Sequence, residues 1–157
     1  MTRTSLHPAG WMAAIVLMPV VLVALVVAAI PRYSADQALK DDWGIAVPDG
    51  LRVVEHHHEN SFADAELSTR FTVFAVEEEA KLTGTFFDPQ QMSAADLTSD
   101  QVLLVAGITK QFQPKHYLRV PGPGIRKVER VTTAGVVLCL LDESASVFYV
   151  YESRTGY

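Results

Sequence analysis

Three consecutive histidines with a glutamate on each side are the residues of this sequence whose types and spacing best suit chemistry. His56, His57 and His58 stand between Glu55 and Glu59. If this segment is a strand, His56 and His58 lie on one face, because successive side chains point to opposite faces. Histidine nitrogens and carboxylate oxygens are ligands for zinc, copper or nickel. We therefore take His56 and His58 as candidate metal ligands.

The same histidines have two other interpretations. They could form an exposed polar strand end with no role of its own. They could also make the domain respond to pH, because the charge of histidine changes near pH 6.5. The spacing does not match the H-E-x-x-H pattern of zinc enzymes. Asp64 and Glu66, which would lie across a hairpin, are possible additional oxygen ligands.

A group of basic side chains around residues 121–124, Pro-Gly-Pro-Gly, is the second candidate binding site. Its members are Lys115, Arg119, Arg126, Lys127 and Arg130. Such a group could contact anionic lipid headgroups, a cell-surface polymer or an acidic protein, or it could be solvated surface charge. Residues 41–157 hold 17 acidic and 10 basic side chains, a net charge of −7. A domain of that charge repels nucleic acid, so we expect no nucleic-acid partner.

Motifs of the common enzyme classes are absent from the sequence. It has no G-x-S-x-G, no P-loop and no G-x-G-x-x-G. The prolines of the Pro-Gly-Pro-Gly segment lack the amide donors that a phosphate cradle needs. The single cysteine, Cys139, lies in an apolar run, which indicates a buried side chain and excludes an internal disulfide. We predict no catalytic activity, no cofactor and no small-molecule substrate.

The rest of the chain must position these side chains. Its most prominent feature is a long apolar run near the N-terminus. Residues 11–30 contain no charged or strongly polar side chain. Twenty helical residues span about 30 Å, the thickness of the hydrocarbon core of a bilayer. Trp11 and Tyr33 stand near the two ends, where aromatic rings prefer the membrane interface. The run predicts a single transmembrane helix, although residues 27–29 could serve as a weak cleavage site.

The predicted span divides the chain into four segments. Residues 1–10 form a short cytoplasmic tail, residues 11–30 the membrane helix and residues 31–50 a juxtamembrane linker. Residues 51–157 form an extracytoplasmic domain. Arg3 and the free amino terminus favour an internal N-terminus, and Arg32 and Lys40 oppose it. The short tail and the bulk of the chain after the span together favour a signal-anchor.

The domain shows strand patterns near both of its ends. Residues 51–56 predict one strand, and residues 71–76, which are rich in β-branched and aromatic residues, predict another. We predict that the two pair as an antiparallel hairpin. Residues 128–141 and 147–152 read as further strands. On the last strand, Tyr149 and Tyr151 would alternate with Phe148 between core and surface.

Helix signals lie between these strands. Residues 77–82 favour a helical turn, and Asp88 and Thr98 are candidate N-caps. Val105 and Ile108 follow Thr98 at helical spacing. The order of strands, helices and strands predicts an α+β domain in which helices cover one face of an antiparallel sheet.

These patterns predict a single-pass, membrane-anchored domain at the cell envelope that binds other proteins and does not catalyse a reaction. Its expected partners are the membrane and a protein of an envelope complex. The alternative is a metal- or pH-responsive sensor domain that uses the segment from His56 to His58.

Overall fold

The structure is a computed structural model that describes residues 34–60, 68–94, 96–118 and 125–154. The predicted tail (1–10), the predicted membrane span (11–30), the Pro-Gly-Pro-Gly segment and Arg119 lie outside the described residues. None of the helices among the described residues combines the length and the apolar character that crossing a membrane requires. The predicted span therefore remains an inference from the sequence.

Five antiparallel strands form the sheet. They are β1 (Leu51–Asn60), β2 (Ser68–Val76), β3 (Ile125–Thr132), β4 (Gly135–Asp142) and β5 (Val147–Arg154). Their order across the sheet is β1-β2-β5-β4-β3. The predicted hairpin of β1 and β2 is confirmed. The central pairing joins β2 to β5, which brings Phe71 opposite Tyr151.

One predicted strand proves to be two. Residues 128–141 cover parts of β3 and β4, which a turn at residues 133–134 separates. Gly135 makes this close hairpin possible. Its φ is 137°, and a Cβ there would lie 2.1 Å from the carbonyl oxygen of Ser153. The sequence around the turn, Thr-Thr-Ala-Gly, lacks the Asn-Gly or Asp-Gly pair that usually indicates a hairpin.

Two helices, α1 (Ala35–Trp43) and α2 (Ser99–Phe112), cover opposite faces of the sheet. Leu39 and Trp43 of α1 pack in a core with Phe74, Cys139, Phe148 and Val150. Ile108 of α2 packs in a second core with Phe71, Leu138, Tyr149 and Tyr151. The prediction that the helices cover one face of the sheet is wrong. The prediction that Tyr149 and Tyr151 alternate with Phe148 between core and surface is also wrong. Both faces are covered, so all three aromatic side chains are buried.

The domain also begins earlier than the sequence suggests. The segment predicted as a linker, residues 31–50, contains α1, and Leu39, Trp43 and Ile45 are buried against the sheet. In sequence this segment resembles a linker, because polar residues dominate the composition of α1. Leu39 and Trp43 are four positions apart, which places them on one helical face. That spacing is the signal of a packed helix.

The capping signals identify helix starts better than helix lengths. Thr98 and Gln101 form the predicted capping box at the start of α2. Gln113, in a left-handed conformation, ends this helix just before Pro114. Asp88 also acts as a cap, but only for a 3-10 helix, Pro89–Gln91. Residues 77–82 form turns and not the expected helical segment.

Candidate functional site

A β-bulge in the edge strand β1 sets the direction of the histidines. The pairing of β1 with β2 shifts register between Val53 and Glu55. Beyond the bulge, His56 lies opposite Thr72 and His58 lies opposite Arg70. Both histidines therefore share a face, as predicted from the strand period. His58 is exposed, whereas His56 is half-buried and its Nδ1 lies 2.8 Å from Thr72 Oγ1.

The surroundings of His56 keep its ring neutral. Burial, followed by the positive charges of His58, Arg70 and His57, lowers its pKa to about 4. A neutral imidazole can bind a metal ion, but no group of three or more His, Cys, Asp or Glu side chains among the described residues is arranged to hold one. Asp64 and Glu66 lie outside the described residues. Metal binding by His56 and His58 therefore stays a prediction.

The opposite side of β1 carries a carboxylate between two histidines. Glu55 lies 2.7 Å from His57 Nε2 and 2.8 Å from His116 Nδ1. It also accepts hydrogen bonds from the backbone N–H groups of Lys115 and His116, each at 2.8 Å. The His57 ring stacks on Phe112, with centroids 5.4 Å apart. These contacts attach β1 to the segment that follows α2.

Burial alone would raise the pKa of Glu55, but the four hydrogen bonds outweigh it. The bonds from His57, from the backbone of His116 and Lys115, and from the His116 ring lower the pKa of this carboxyl to about 2. Glu55 is therefore ionised at any physiological pH. A carboxylate that is already saturated with donors holds a loop in place and is poorly suited to accept a proton in a reaction.

A second charged cluster lies beneath α1. Trp43 Nε1 donates to Glu152 Oε2 at 2.6 Å, and Arg70 Nη1 donates to the same oxygen at 3.3 Å. Arg70 also donates to Asp42, and Arg154 Nη1 donates to the other oxygen of Asp42 at 2.9 Å. The cluster therefore joins α1 to β2 and β5. It was missed from the sequence, although Phe148, Val150 and Glu152 share the period-two spacing of a buried face.

Glu152 is the unusual member of this cluster. Its side chain is buried, and within the part of the chain that the structure describes its Oε1 has no hydrogen-bond partner. Burial raises the pKa of Glu152, although Arg70 and Trp43 oppose the rise. Asp42 adds to the rise by its negative charge. The arrangement can hold a proton on the carboxyl at a higher pH than an exposed glutamate would.

The basic side chains of the predicted binding site divide between the two faces of β3. Arg126 donates to Glu143 at 2.5 Å and to the Pro89 carbonyl at 3.3 Å. Arg130 donates to the Trp43 carbonyl at 2.6 Å. The Arg130 guanidinium also lies 5.4 Å from the centre of the Phe86 ring.

The neighbouring cations have separate surroundings. Lys127 donates to Gln101 of α2 at 2.9 Å, which places its side chain on the face opposite Arg126 and Arg130. Lys115 is exposed on the segment after α2. The structure therefore does not gather Lys115, Arg126, Lys127 and Arg130 into one patch, and Arg119 lies outside the described residues.

An exposed apolar surface on α2 was also missed. Leu103 is 70% exposed and Val102 is 44% exposed, on the side of the helix away from the sheet. Val105, Ile108 and Phe112 lie on the inner side of this helix, in or against the second core. The signal in the sequence is that Val102 and Leu103 are apolar but do not belong to this inner set.

No protein-family model matches the chain, and no characterised protein or solved structure compared with it is similar enough to count as a relative. The assignment of a function therefore rests on the surfaces and side chains described above.

Proposed function

We propose that this chain is a single-pass, membrane-anchored binding domain that acts through protein–protein contacts at the cell envelope. In this proposal residues 11–30 cross the membrane, the N-terminus is cytoplasmic and the domain lies outside the cytoplasm. The apolar run supports the span, because twenty consecutive residues without a charge match the thickness of a bilayer. Residues 31–34 connect the proposed span to α1 in the sequence.

The exposed apolar surface of α2 is the observation that carries the binding role. Burying an apolar side chain is favourable by about 25 cal/mol per Å² of surface removed from water. Leu103 and Val102 leave that stabilisation unused in the isolated chain. A protein partner that covered both side chains would recover this stabilisation.

The internal bonding of the charged groups supports a role without catalysis. Glu55 is saturated by donors from His57, Lys115 and His116. Asp42 and Arg70 bind each other beneath α1. These groups hold elements of the domain together, because their hydrogen bonds join β1 to the segment after α2 and α1 to β2.

Co-purification from native membranes in mild detergent tests the proposal. We expect the full chain to recover a stoichiometric protein partner, and Leu103→Glu to lose that partner because it places a charge on the contact surface. Val131→Glu is the matched control, since Val131 is also 70% exposed but lies on β3. Recovery of the chain alone, as a monomer, would contradict the proposal. So would equal recovery of the partner by the Leu103 and Val131 variants.

A pH- or metal-responsive sensor is the second candidate, and the position of His56 favours it. This ring bridges β1 and β2 through Thr72, and its low pKa makes it gain a proton only on acidification. If the domain senses a metal, Zn²⁺ should raise its melting temperature, and His56→Gln with His58→Gln should abolish the rise. An unchanged melting temperature in Zn²⁺ would exclude the metal form of this function.

A further inference from the structure

Four exposed residues of α2 form a stripe with a regular order. Asp100, Leu103, Gly107 and Lys110 are separated by three, four and three positions. At 3.6 residues per turn this spacing places them on one side of the helix. All four are exposed, and the inner side of α2 is held by Ile108 against the sheet. We call these four residues the α2 stripe.

The α2 stripe contains one large exposed side chain, Leu103, and one residue without a side chain, Gly107. Leu103 is 70% exposed. A Cβ built on Gly107 would meet no atom within 4 Å, so no neighbour in the structure requires a glycine there. Glycine in the middle of a helix is less stable than alanine. A close approach by another surface would account for a glycine at this position.

The two charged residues and the two central residues of the α2 stripe are each placed symmetrically about position 105. Asp100 and Lys110 each lie five positions from Val105, while Leu103 and Gly107 each lie two positions from it. A second α2 placed antiparallel would therefore bring Asp100 to the partner's Lys110. The same operation would bring Leu103 to the partner's Gly107. Among the described residues, neither Asp100 nor Lys110 forms an ion pair, so both charges remain available.

We infer that α2 is a dimerisation helix, which pairs antiparallel with α2 of a second copy about a twofold axis that crosses the α2 stripe at the level of Val105 along the helix. The side chain of Leu103 then fills the space above the partner's Gly107, and two Asp100–Lys110 ion pairs close the ends. The pairing is isologous, as in most homodimers. The inference rests on the proposed binding role and names its partner, but it does not require the membrane span.

Cross-linking of the full chain in its own membranes tests this geometry. Ala106→Cys places a thiol beside the expected axis, and Cys139, the only native cysteine, is buried. We expect a short bismaleimide to convert most of this variant to a covalent dimer. Thr133→Cys, on the exposed turn between β3 and β4, is the matched control and should yield at least tenfold less dimer. Equal yields from the two variants, or no dimer from Ala106→Cys, would overturn the inference.

Second substitutions in the Ala106→Cys chain distinguish the α2 contact from any other pairing. Gly107→Leu should lower the dimer yield at least tenfold by filling the space for Leu103, and the melting temperature will show that the domain remains folded. Asp100→Lys should also lower the yield, and adding Lys110→Asp should restore it. A yield that Gly107→Leu leaves unchanged would overturn the inference, because pairing through the span would behave in this way. Fractionation of the same sample tests membrane anchoring separately.

Discussion

Consecutive residues of β1 have different chemical roles because strand geometry sends them to different faces. His56 lies with Thr72 on the face covered by α1, and His57 stacks on Phe112 of α2. His58, two positions from His56, is exposed. Three identical side chains in sequence therefore have three different surroundings. The sequence identifies the residues and their alternation, but the neighbours that change their acidity come from distant segments.

His56 should make the domain less stable on mild acidification. Its folded-state pKa of about 4 is below the ordinary value of 6.5. Between these values the unfolded chain binds a proton that the folded chain does not, so stability is lost as the pH falls through this window. After a discount for partial exposure, we expect wild type to lose about 1 kcal/mol more than His56→Gln between pH 7 and pH 5. Urea unfolding of the detergent-solubilised chain at both pH values measures this, and equal losses would contradict it.

Glu152 should act in the opposite direction, because its folded-state pKa is raised. In the window above its ordinary pKa of 4.5, the folded chain holds a proton that the unfolded chain releases. Its contribution to stability therefore rises as the pH falls through the folded-state pKa. Glu152→Gln should remove this dependence.

The size of the loss on truncation provides a second test of Glu152. Glu152→Ala should cost about 3 kcal/mol, because it removes an acceptor from Trp43 and from buried Arg70. Glu152→Gln keeps an oxygen in that place and should cost about 1 kcal/mol. Urea unfolding of both variants at pH 7 gives the comparison. Equal costs would mean that the hydrogen bonds to Trp43 and Arg70 contribute little.

At the level of elements, the capping signals predict where helices begin, whereas the helical segment predicted at residues 77–82 and the packing of α1 were not predicted correctly. The capping box of Thr98 and Gln101 predicts the start of α2, because both partners lie within one helical turn. The packing of α1 against β5 depends on Trp43 and Glu152, which are 109 positions apart. A local sequence pattern can show which side of a helix is buried, but it does not show which face of the sheet that helix will cover. The α+β class could be predicted from the order of the elements. The packing of one helix on each face of the sheet could not.

Two glycines should respond to alanine in opposite ways. Gly107 lies inside α2 with open space around its Cβ position, so Gly107→Ala should stabilise the domain by about 0.5–1 kcal/mol. Gly135 has a φ of 137° and faces the Ser153 carbonyl. Gly135→Ala should therefore destabilise it by more than about 1 kcal/mol. Melting temperatures in dilute detergent will show the signs, and a loss of stability at Gly107 would contradict the account of α2.

The full chain combines a long apolar run, residues 11–30, with a domain on which Val102 and Leu103 are exposed. The span was inferred from hydrophobicity alone, since its length matches a bilayer. The α2 surface emerged only from the structure, because exposure depends on how the helix is turned against the sheet. The proposed function requires both. A membrane anchor alone would hold the domain at the membrane but would give it no surface with which to bind a partner.

Fractionation of cells that express the full-length chain tests whether residues 11–30 anchor it in the membrane. Membranes are collected from broken cells, washed with alkaline carbonate and then treated with detergent. The account predicts that the chain stays in the washed pellet and is released only by detergent. Leu22→Arg with Leu25→Arg should move it to the wash, because each arginine costs about 2.5–3.5 kcal/mol at the centre of a span. Recovery of the unprocessed wild-type chain in the supernatant before any detergent is added would contradict the account.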